Sequence, residues 1–595
     1  MRTRFSVWSV VSVFFVFCFI TLMATGVSAN PFKSTGPIEG YSKVVSVTDK
    51  VISEKGGVSD KNPADVQAGL EMLEKGGNAV DAMIAAALVS NVTNTGSHSL
   101  GGYGGAMVIY LKKIGEPVVV DFNTRAPLAV TPSYFTSAGE LSGYSYKTIT
   151  PWAVVAGLYT ALKNYGTMKW EDVIQPAIKV AEDGFVLSPQ DASSINSACR
   201  GRFQQSPASM AIYCPDPPFK AGDLFKQPDL ANSLRILAKY GPNAIYTGSL
   251  GKIMVDYLQS IGNLITIKDL ESWQENLVRI LKPANANYRG YDVYTSPINT
   301  GGENIIEILN ILKNFDLGAE RSADSVHSVM EAYKVAFTDR FYYVADPWTE
   351  NVPYFGLISE GYGLERSGII NTSTASPSYP VGDPWPYDTN ASPGYYFQDK
   401  YPFVREDTST ETSSSSVIDK DGNMVAMTYT MRDGFGSGIT IPGTGITMNN
   451  GMGLFSYDPA SLNKIEGGKL AVNNMNAFLI MKDGEPFVSG GASGGRTIMT
   501  SCLETIINVI DYGMDIHQAI NTPRFHCEHL ESTCYFESSF DSGILSTLAT
   551  MGHKTTDLRT SIGVQHGVMI DLVTGDWIVG RDNRSDVSTA GGFQK

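Results

Sequence analysis

Residues 408–438 read TSTETSSSSVIDKDGNMVAMTYTMRDGFGSG. Two short apolar runs flank Asp421-Gly422, a dipeptide that is typical of the tight turn between antiparallel strands. Counting outward from Asp421 places Thr412 opposite Thr430. A register shift of one residue still leaves them diagonal neighbours within about 8 Å. The sequence therefore predicts a β-hairpin that brings two threonine hydroxyls together.

Thr412 is a candidate nucleophile. A threonine hydroxyl reacts poorly until a base lies beside it. If the bond between Glu411 and Thr412 is cut, the freed α-amino group becomes that base, with an ordinary pKa of about 7.7–8.0. The same hydroxyl can make the first cut by attacking the preceding carbonyl. By composition alone, however, the Ser-, Thr- and Pro-rich residues 371–416 fit a solvated linker.

A second nucleophile candidate lies in residues 491–495, where GASGG matches the G-x-S-x-G elbow of α/β-hydrolases around Ser493. It follows a predicted strand and precedes a predicted helix, but the chain around it predicts hairpins rather than parallel βαβ units. Alternatively, its consecutive N–H groups form an oxyanion hole. Extending a second Asp-Gly hairpin, over residues 477–489, places Asn473 and Asn474 near this loop.

The other predicted elements are mixed in type. Asn78 is a helix cap before the apolar residues 79–89, and residues 325–343 and 500–510 also predict helices. Residues 567–580 predict one more hairpin. Because strands and helices do not alternate strictly, the sequence predicts an α+β fold.

Composition excludes several classes of function. The 595 residues carry a formal net charge of -15, which argues against nucleic-acid binding, and 43% are hydrophobic, which predicts a large packed core. There is no CxxC pair and no HExxH motif, and His526 and His529 fit a surface or satisfied pair better than metal ligands. We therefore predict no metal site and no cofactor.

The N-terminus predicts export. Basic residues in the first four positions precede an apolar run over residues 5–23, and Val27-Ser28-Ala29 offers small residues for signal peptidase. The predicted signal peptide is 1–29, and the protein is predicted to be secreted. The alternative is a retained anchor, which would give a type II membrane-anchored extracellular protein.

Cysteine usage agrees with export. Cys199 with Cys214, and Cys527 with Cys534, are close enough in sequence to form two local disulfides, whereas Cys502 precedes an apolar segment and fits a buried free thiol. Asn91 lies in an apolar helix, where burial competes with glycosylation. The predicted glycosylation sequons are Asn91, Asn371, Asn390 and Asn583.

Seven segments together resemble the gamma-glutamyltransferase family, and they follow the family order across nearly the whole mature chain. The first is VIDKDGNMVAMTYTMRDGFGSG at residues 417–438. The other six are residues 76–89 (GGNAVDAMIAAALV), 121–127 (DFNTRAP), 327–340 (HSVMEAYKVAFTDR), 445–456 (GITMNNGMGLFS), 490–496 (GGASGGR) and 523–526 (PRFH).

The resemblance implies a four-layer αββα sandwich of the N-terminal-nucleophile hydrolase type. It implies a zymogen that cleaves itself before Thr412 into a large subunit, 30–411, and a small subunit, 412–595, which form a heterodimer. It makes Thr412 the nucleophile and Thr430 its supporting threonine. The family's oxyanion-hole glycines fall on Gly494 and Gly495, which removes Ser493 as the nucleophile.

The resemblance fails where the family holds the γ-glutamyl group. Asn123 stands where an arginine is expected, although Arg125 follows two positions later. Arg432 replaces an asparagine, and Gly451 and Leu454 replace a glutamine and an aspartate. A substrate ammonium then lacks its counter-charge, a loss of roughly 1.5–3 kcal/mol for one charged hydrogen bond. Asn473 and Asn474 replace two serines but can still donate hydrogen bonds. The predicted substrate-binding residues are Arg125, Arg432, Asn473 and Asn474.

Two functions fit these departures. The first is a gamma-glutamyltransferase-like enzyme that attacks a γ-glutamyl or related amide, such as glutathione, through an acyl-enzyme in an altered pocket. The second is a secreted, catalytically weak or inactive effector of the venom-toxin kind that keeps the fold and would require a cell-surface target. The first predicts a small-molecule or peptide amide substrate.

Overall fold

The predicted hairpin lies in the middle of a twisted eight-stranded sheet. The computed structural model describes residues 38–389 and 411–595. The predicted signal peptide and the sequon at Asn390 lie outside the described residues, and secretion stays a prediction. No helix within these two ranges is long and apolar enough to cross a bilayer.

Within the described part of the chain, fifteen strands form two large antiparallel sheets. In chain order they are β1 Ser42–Ser46, β2 Val51–Ser53, β3 Gly56–Asp60, β4 Gly104–Tyr110, β5 Val118–Asp121, β6 Arg279–Leu281, β7 Ala284–Tyr288, β8 Tyr291–Thr295, β9 Glu411–Asp419, β10 Met424–Arg432, β11 Ala477–Lys482, β12 Glu485–Ser493, β13 Val564–Ile570, β14 Trp577–Gly580 and β15 Thr589–Gln594. The first sheet has the order β1-β15-β3-β9-β10-β4-β5-β6, and the second has the order β2-β14-β13-β12-β11-β8-β7.

Helices cover the outer face of each sheet. The main ones are α1 Pro63–Glu74, α2 Ala79–Thr93, α3 Val154–Tyr165, α4 Gly302–Leu312, α5 Ala323–Tyr343, α6 Thr497–Ile510 and α7 Ile516–Asn521. Helices Gln175–Asp183, Pro189–Cys199, Pro228–Tyr240, Ser249–Ser260, Glu360–Ser367 and Ser542–Thr550 surround them. α1 to α3 share one apolar cluster with β10, whereas α4 to α7 share another with β11 and β12.

A third apolar cluster fills the space between the two sheets. Three apolar interfaces therefore separate four layers, which confirms the predicted αββα sandwich and the α+β class. The predicted capping residue Asn78 is confirmed, because its side chain accepts from Asp81 N–H while the Asp81 carboxylate accepts from Asn78 N–H.

Alternation along the hairpin decides where its threonines point. In β10, Val425, Met427 and Tyr429 pack against the helices, whereas Met424 and Ala426 pack between the sheets. Because side chains alternate along a strand, the even-numbered residues that follow, including Thr430, also face the second sheet. The same alternation from Ile418 directs Thr412 toward that space.

Strands from before and after Thr412 are interleaved in both sheets. In the first sheet β15 lies between β1 and β3, and the β9–β10 pair lies between β3 and β4. In the second sheet β11 to β14 fill the centre, with β2 on one side and β7 and β8 on the other. Each sheet is therefore completed by both parts of the chain.

The solvated-linker interpretation is wrong for residues 413–416, which are buried within β9. Their backbones pair with β10, and the hydroxyls of Ser414, Ser415 and Ser416 make hydrogen bonds to His566 or Asp60.

Both predicted disulfides, Cys199–Cys214 and Cys527–Cys534, are present, and Cys502 is buried and free. Asn91 is wrong as a glycosylation site in the folded chain, since it is 3% exposed and its amide donates to Ala87 O at 2.6 Å. Asn371 and Asn583 are exposed, and their glycosylation stays a prediction.

Candidate active site

Thr412 and Thr430 meet where β9 and β10 pair. The register sets Ser413 opposite Tyr429, and an irregularity between Glu411 and Ser413 shifts the pairing at the start of β9. The Thr412 hydroxyl donates to Thr430 Oγ1 at 3.5 Å, and Thr430 Oγ1 also accepts from Arg432 N–H at 2.9 Å. The predicted juxtaposition of the two threonines is thus present, at side chains only 6% and 5% exposed.

A small cavity opens beside this pair. It lies at one end of the space between the sheets. Its lining residues are Thr412, Thr430, Arg432, Leu454, Asn473, Asn474, Met475, Gly495 and Ile498. The cavity therefore brings together the predicted nucleophile, one predicted oxyanion glycine and three of the four predicted substrate-binding residues.

The loop after β12 has a backbone that requires glycine. Gly494 has φ 127° and Gly495 has φ 65°, both in the region that L side chains rarely adopt. A Cβ on Gly494 would lie 2.5 Å from Thr497 Oγ1. α6 begins directly afterwards, so its N-terminal N–H groups and the positive end of its dipole are directed toward the loop. This arrangement suits an oxyanion, the role predicted for both glycines.

Ser493 does not form a nucleophile elbow. It ends an antiparallel strand, and its hydroxyl donates to Val564 O at 3.2 Å, in the neighbouring strand β13. The elbow interpretation is wrong because it needs a parallel strand followed by a helix.

Asn474 presents its amide nitrogen to the cavity, whereas both amide atoms of Asn473 are engaged within the wall. Asn473 Oδ1 accepts from Met475 N–H at 3.1 Å, and its Nδ2 donates to Asn299 O at 3.3 Å. Asn474 Oδ1 accepts from Arg340 at 3.3 Å. Since that oxygen is engaged, the Nδ2 group of Asn474 is the end available to a ligand.

Arg340 holds this part of the wall, and the sequence prediction missed it as a site residue. It lies at the end of α5, is 1% exposed, and donates to Thr300 O at 2.5 Å and to Asn473 O at 2.8 Å. Glu303 lies 4.0 Å from its guanidinium. An arginine in the last turn of a long predicted helix was the available signal, because buried arginines need several acceptors.

Arg432 and Leu454 form the side of the cavity where the resemblance fails. Arg432 is 1% exposed, has φ 85°, and pairs with Asp433 at 2.6 Å. Burial lowers its pKa, although Asp433 opposes the shift. Leu454 is 6% exposed and packs in an apolar cluster with Tyr103 and Met475. None of the described residues that line the cavity is acidic.

Arg125 is not among the residues that line the cavity. Its guanidinium donates to Gly468 O at 2.9 Å and lies 3.5 Å from Asp346. The backbone of Arg125 forms an isolated β-bridge with Leu470. Asn123, at the expected arginine position, is buried and donates to Asp121 at 2.7 Å.

Buried titratable groups contact β9 on both of its faces. Ser415 donates to Asp60 at 2.8 Å, and burial raises the pKa of Asp60 to about 7 although this bond opposes the shift. Ser414 contacts His566 Nδ1 at 3.2 Å, and burial lowers the pKa of His566 to about 4. At neutral pH His566 is therefore uncharged, while Asp60 is near the midpoint of its titration.

The chain is similar to known proteins over most of its length. A family model described as gamma-glutamyltranspeptidase matches residues 66–592. The glutathione hydrolase proenzyme of Escherichia coli K12 is 33% identical over 556 residues, covering 90% of this chain and 91% of that protein. The acylase ACY 1 proenzyme of Pseudomonas sp. strain SE83 is 30% identical over 515 residues, covering 84% and 87%. The crystal structure of cephalosporin acylase from Bacillus halodurans has a TM-score of 0.81 at 25% identity, covering 96% of this chain and 99% of that one.

Proposed function

Because the chain belongs to the gamma-glutamyltranspeptidase family, we propose that it is a self-cleaving threonine amidohydrolase or acyltransferase. The observation that carries the proposal is the position of the Thr412 hydroxyl. It donates to Thr430 at the wall of a cavity that also contains Gly495. A nucleophile, a group that orients it and donors for a developing oxyanion are the parts that acyl transfer needs.

Self-cleavage uses the same hydroxyl. Its oxygen attacks the carbonyl carbon of Glu411, the C–N bond breaks, and the acyl group passes from nitrogen to oxygen. Water then hydrolyses this ester, which leaves a carboxylate on Glu411 and a free α-amino group on Thr412. In the cleaved protein that amine takes the proton of the attacking hydroxyl. It then gives the proton to the departing amine of the substrate, and water or a second amine releases the acyl group from Thr412.

We expect the preferred acyl group to lack an ammonium. The cavity offers Arg432 and the Nδ2 donor of Asn474, and its lining also contains the apolar side chains of Leu454, Met475 and Ile498. Donors recognise a carbonyl or carboxylate, but they repel or leave unpaired an ammonium group. The relatives named above include both a glutathione hydrolase and acylases, and this lining favours acylase-like substrates.

The test compares two chromogenic anilides. The γ-glutamyl and glutaryl anilides share a chain length and a terminal carboxylate, and they differ only in the α-ammonium. We expect the glutaryl anilide to have the larger kcat/KM, by about 10-fold to 150-fold for one charged hydrogen bond of 1.5–3 kcal/mol. Preference for the γ-glutamyl anilide would refute the substrate class. Turnover of neither, by protein cleaved at Thr412, would favour the inactive effector.

Export is also part of the proposal. It is supported by the apolar segment that precedes Val27-Ser28-Ala29 and by two disulfides, which persist in oxidising compartments. N-terminal sequencing of the larger chain from the medium of secreting cells tests it. A start at Asn30 is expected, and a chain retained on membranes with Met1 intact would contradict it.

A further inference from the structure

Helix α5 meets a later part of the chain through a buried group of charged side chains, here called the histidine cluster. His327, Glu331 and Lys334 come from one face of α5, and Glu531 and His553 come from beyond Thr412. The side chains of Glu331, Lys334 and His553 are 0% exposed, and that of Glu531 is 14% exposed. The proposed function does not use this cluster.

The hydrogen bonds fix a proton on the outer nitrogen of each ring. His327 Nε2 lies 2.7 Å from Asn371 O, and a carbonyl oxygen can only accept, so Nε2 carries the hydrogen. His553 Nδ1 lies 3.1 Å from Glu531 Oε2. Burial opposes charge on Glu531, but hydrogen bonds from His553 and Lys334 lower its pKa, so it is ionised and accepts. His553 Nδ1 therefore carries a hydrogen as well.

The inner nitrogens, His327 Nδ1 and His553 Nε2, then lie 2.7 Å apart. If both rings were neutral, two lone pairs would face each other at hydrogen-bond distance. A shared proton removes this repulsion and fits the distance. A zinc ion with bonds of about 2.0–2.1 Å in tetrahedral geometry would hold the two nitrogens roughly 3.3 Å apart, farther than observed.

Charge also favours the proton over a divalent metal. Lys334 Nζ is already bound at 2.5 Å to Glu331, 2.6 Å to Glu531 and 2.6 Å to Ser376 O. The two carboxylates and this ammonium leave one negative charge, which one proton balances. A divalent ion would leave a net positive charge in a buried site, which is costly.

We propose that His553 is a buried imidazolium that donates to neutral His327 and thereby ties the two chains together after cleavage. Its ring faces Glu531 at 3.1 Å and Glu331 at 3.8 Å, whereas burial lowers the pKa of His327. His327, Glu331 and Lys334 belong to the large chain, and Glu531 and His553 belong to the small chain. The two-chain part of the proposal rests on the proposed cleavage before Thr412, but the protonation state does not.

The protonation state is tested first in the uncleaved Thr412→Ala protein, so that failure of the proposed function cannot affect it. Histidine-selective ¹⁵N–¹H spectra at neutral pH should contain one ring with both nitrogens protonated, and this signal should vanish in His553→Gln. Two neutral rings at this pair would overturn the proposal.

Hydrogen exchange in the cleaved protein tests the tie between the chains. His553→Gln leaves two carboxylates against one ammonium, so peptides from residues 323–334 and 527–556 should lose protection by about 100-fold. His327→Gln retains an acceptor for the charged ring and should lose much less. The control is His517→Gln, which removes a half-buried histidine 3.9 Å from Asp49 and should leave these peptides unchanged. Equal losses for the two cluster variants would contradict the assignment.

Two further measurements decide between a proton and a metal. Metal analysis of protein purified without chelator should find far less than one ion per chain, and EDTA should not change exchange in these peptides. A stoichiometric metal, or a loss of protection on adding EDTA, would refute the proposal.

Discussion

Replacing Leu454 by aspartate places a carboxylate in the wall of the cavity that contains Thr412. Leu454 is 6% exposed, so the new charge would be largely desolvated, and Arg432 lines the same cavity. Arg432 is already paired with Asp433 at 2.6 Å, which leaves the new carboxylate able to bind a substrate ammonium. One charged hydrogen bond contributes about 1.5–3 kcal/mol, or roughly 10-fold to 150-fold in kcat/KM.

The assay is the ratio of kcat/KM for the γ-glutamyl anilide to that for the glutaryl anilide. Leu454→Asn is the matched control, because it has nearly the same volume as aspartate and loses the same apolar contacts without gaining charge. Using a ratio within each variant removes differences in folding and in the fraction of cleaved protein. The ratio should rise at least tenfold in Leu454→Asp relative to Leu454→Asn. Equal ratios in the two variants would refute the argument that Leu454 excludes the ammonium.

Three further predictions concern cleavage, the cavity wall and pH. Thr412→Ala should run as one uncleaved chain on a reducing gel, whereas Thr412→Ser keeps a hydroxyl and should still give a small chain that begins at residue 412. Arg340→Lys loses the planar guanidinium group that donates to Asn473 O, so kcat/KM for the glutaryl anilide should fall about 10-fold to 100-fold. Arg366→Lys, which removes a buried arginine bound to Asp339 rather than to the cavity wall, should not reproduce that fall. Because burial raises the pKa of Asp60 from 3.8 to about 7, its contribution to stability is present below pH 4 and is lost as pH rises to 7. Urea unfolding of Asp60→Asn should be less pH-dependent across that window, and an unchanged slope would contradict the assignment.

The hairpin and its two threonines could be predicted because they depend on local sequence. Asp421-Gly422 fixes the turn, and a symmetric count from the turn gives the observed pairing of Ser413 with Tyr429. The irregularity between Glu411 and Ser413 could not be counted, since nothing in residues 408–412 marks it. The order of the strands in the two sheets could not be predicted from the sequence either, because pairing between distant strands leaves little local signal.

The cavity wall was predicted where it follows a hairpin and missed where it depends on a distant helix. Asn473 and Asn474 follow from extending the β11–β12 hairpin toward Gly495. Arg340 comes from α5, more than a hundred residues earlier in the chain, and only the folded structure places it against them. Arg125 shows that closeness in sequence to an expected site position does not place a side chain in the site. It lies two positions from Asn123, yet its side chain is directed toward Asp346.

Because the strands of the two parts are interleaved, cleavage before Thr412 affects both folding and unfolding of the protein. One continuous chain can find this arrangement, because each strand is tethered to the next while the sheets assemble. Once the bond is cut, denaturation would release two partners, neither of which contains a complete sheet. To refold, the two chains would have to associate and insert β15 between β1 and β3 again. The mature protein would then persist through a slow rate of unfolding rather than through reversible equilibrium. The order of the two events would then matter, because folding would have to be complete before the bond is cut.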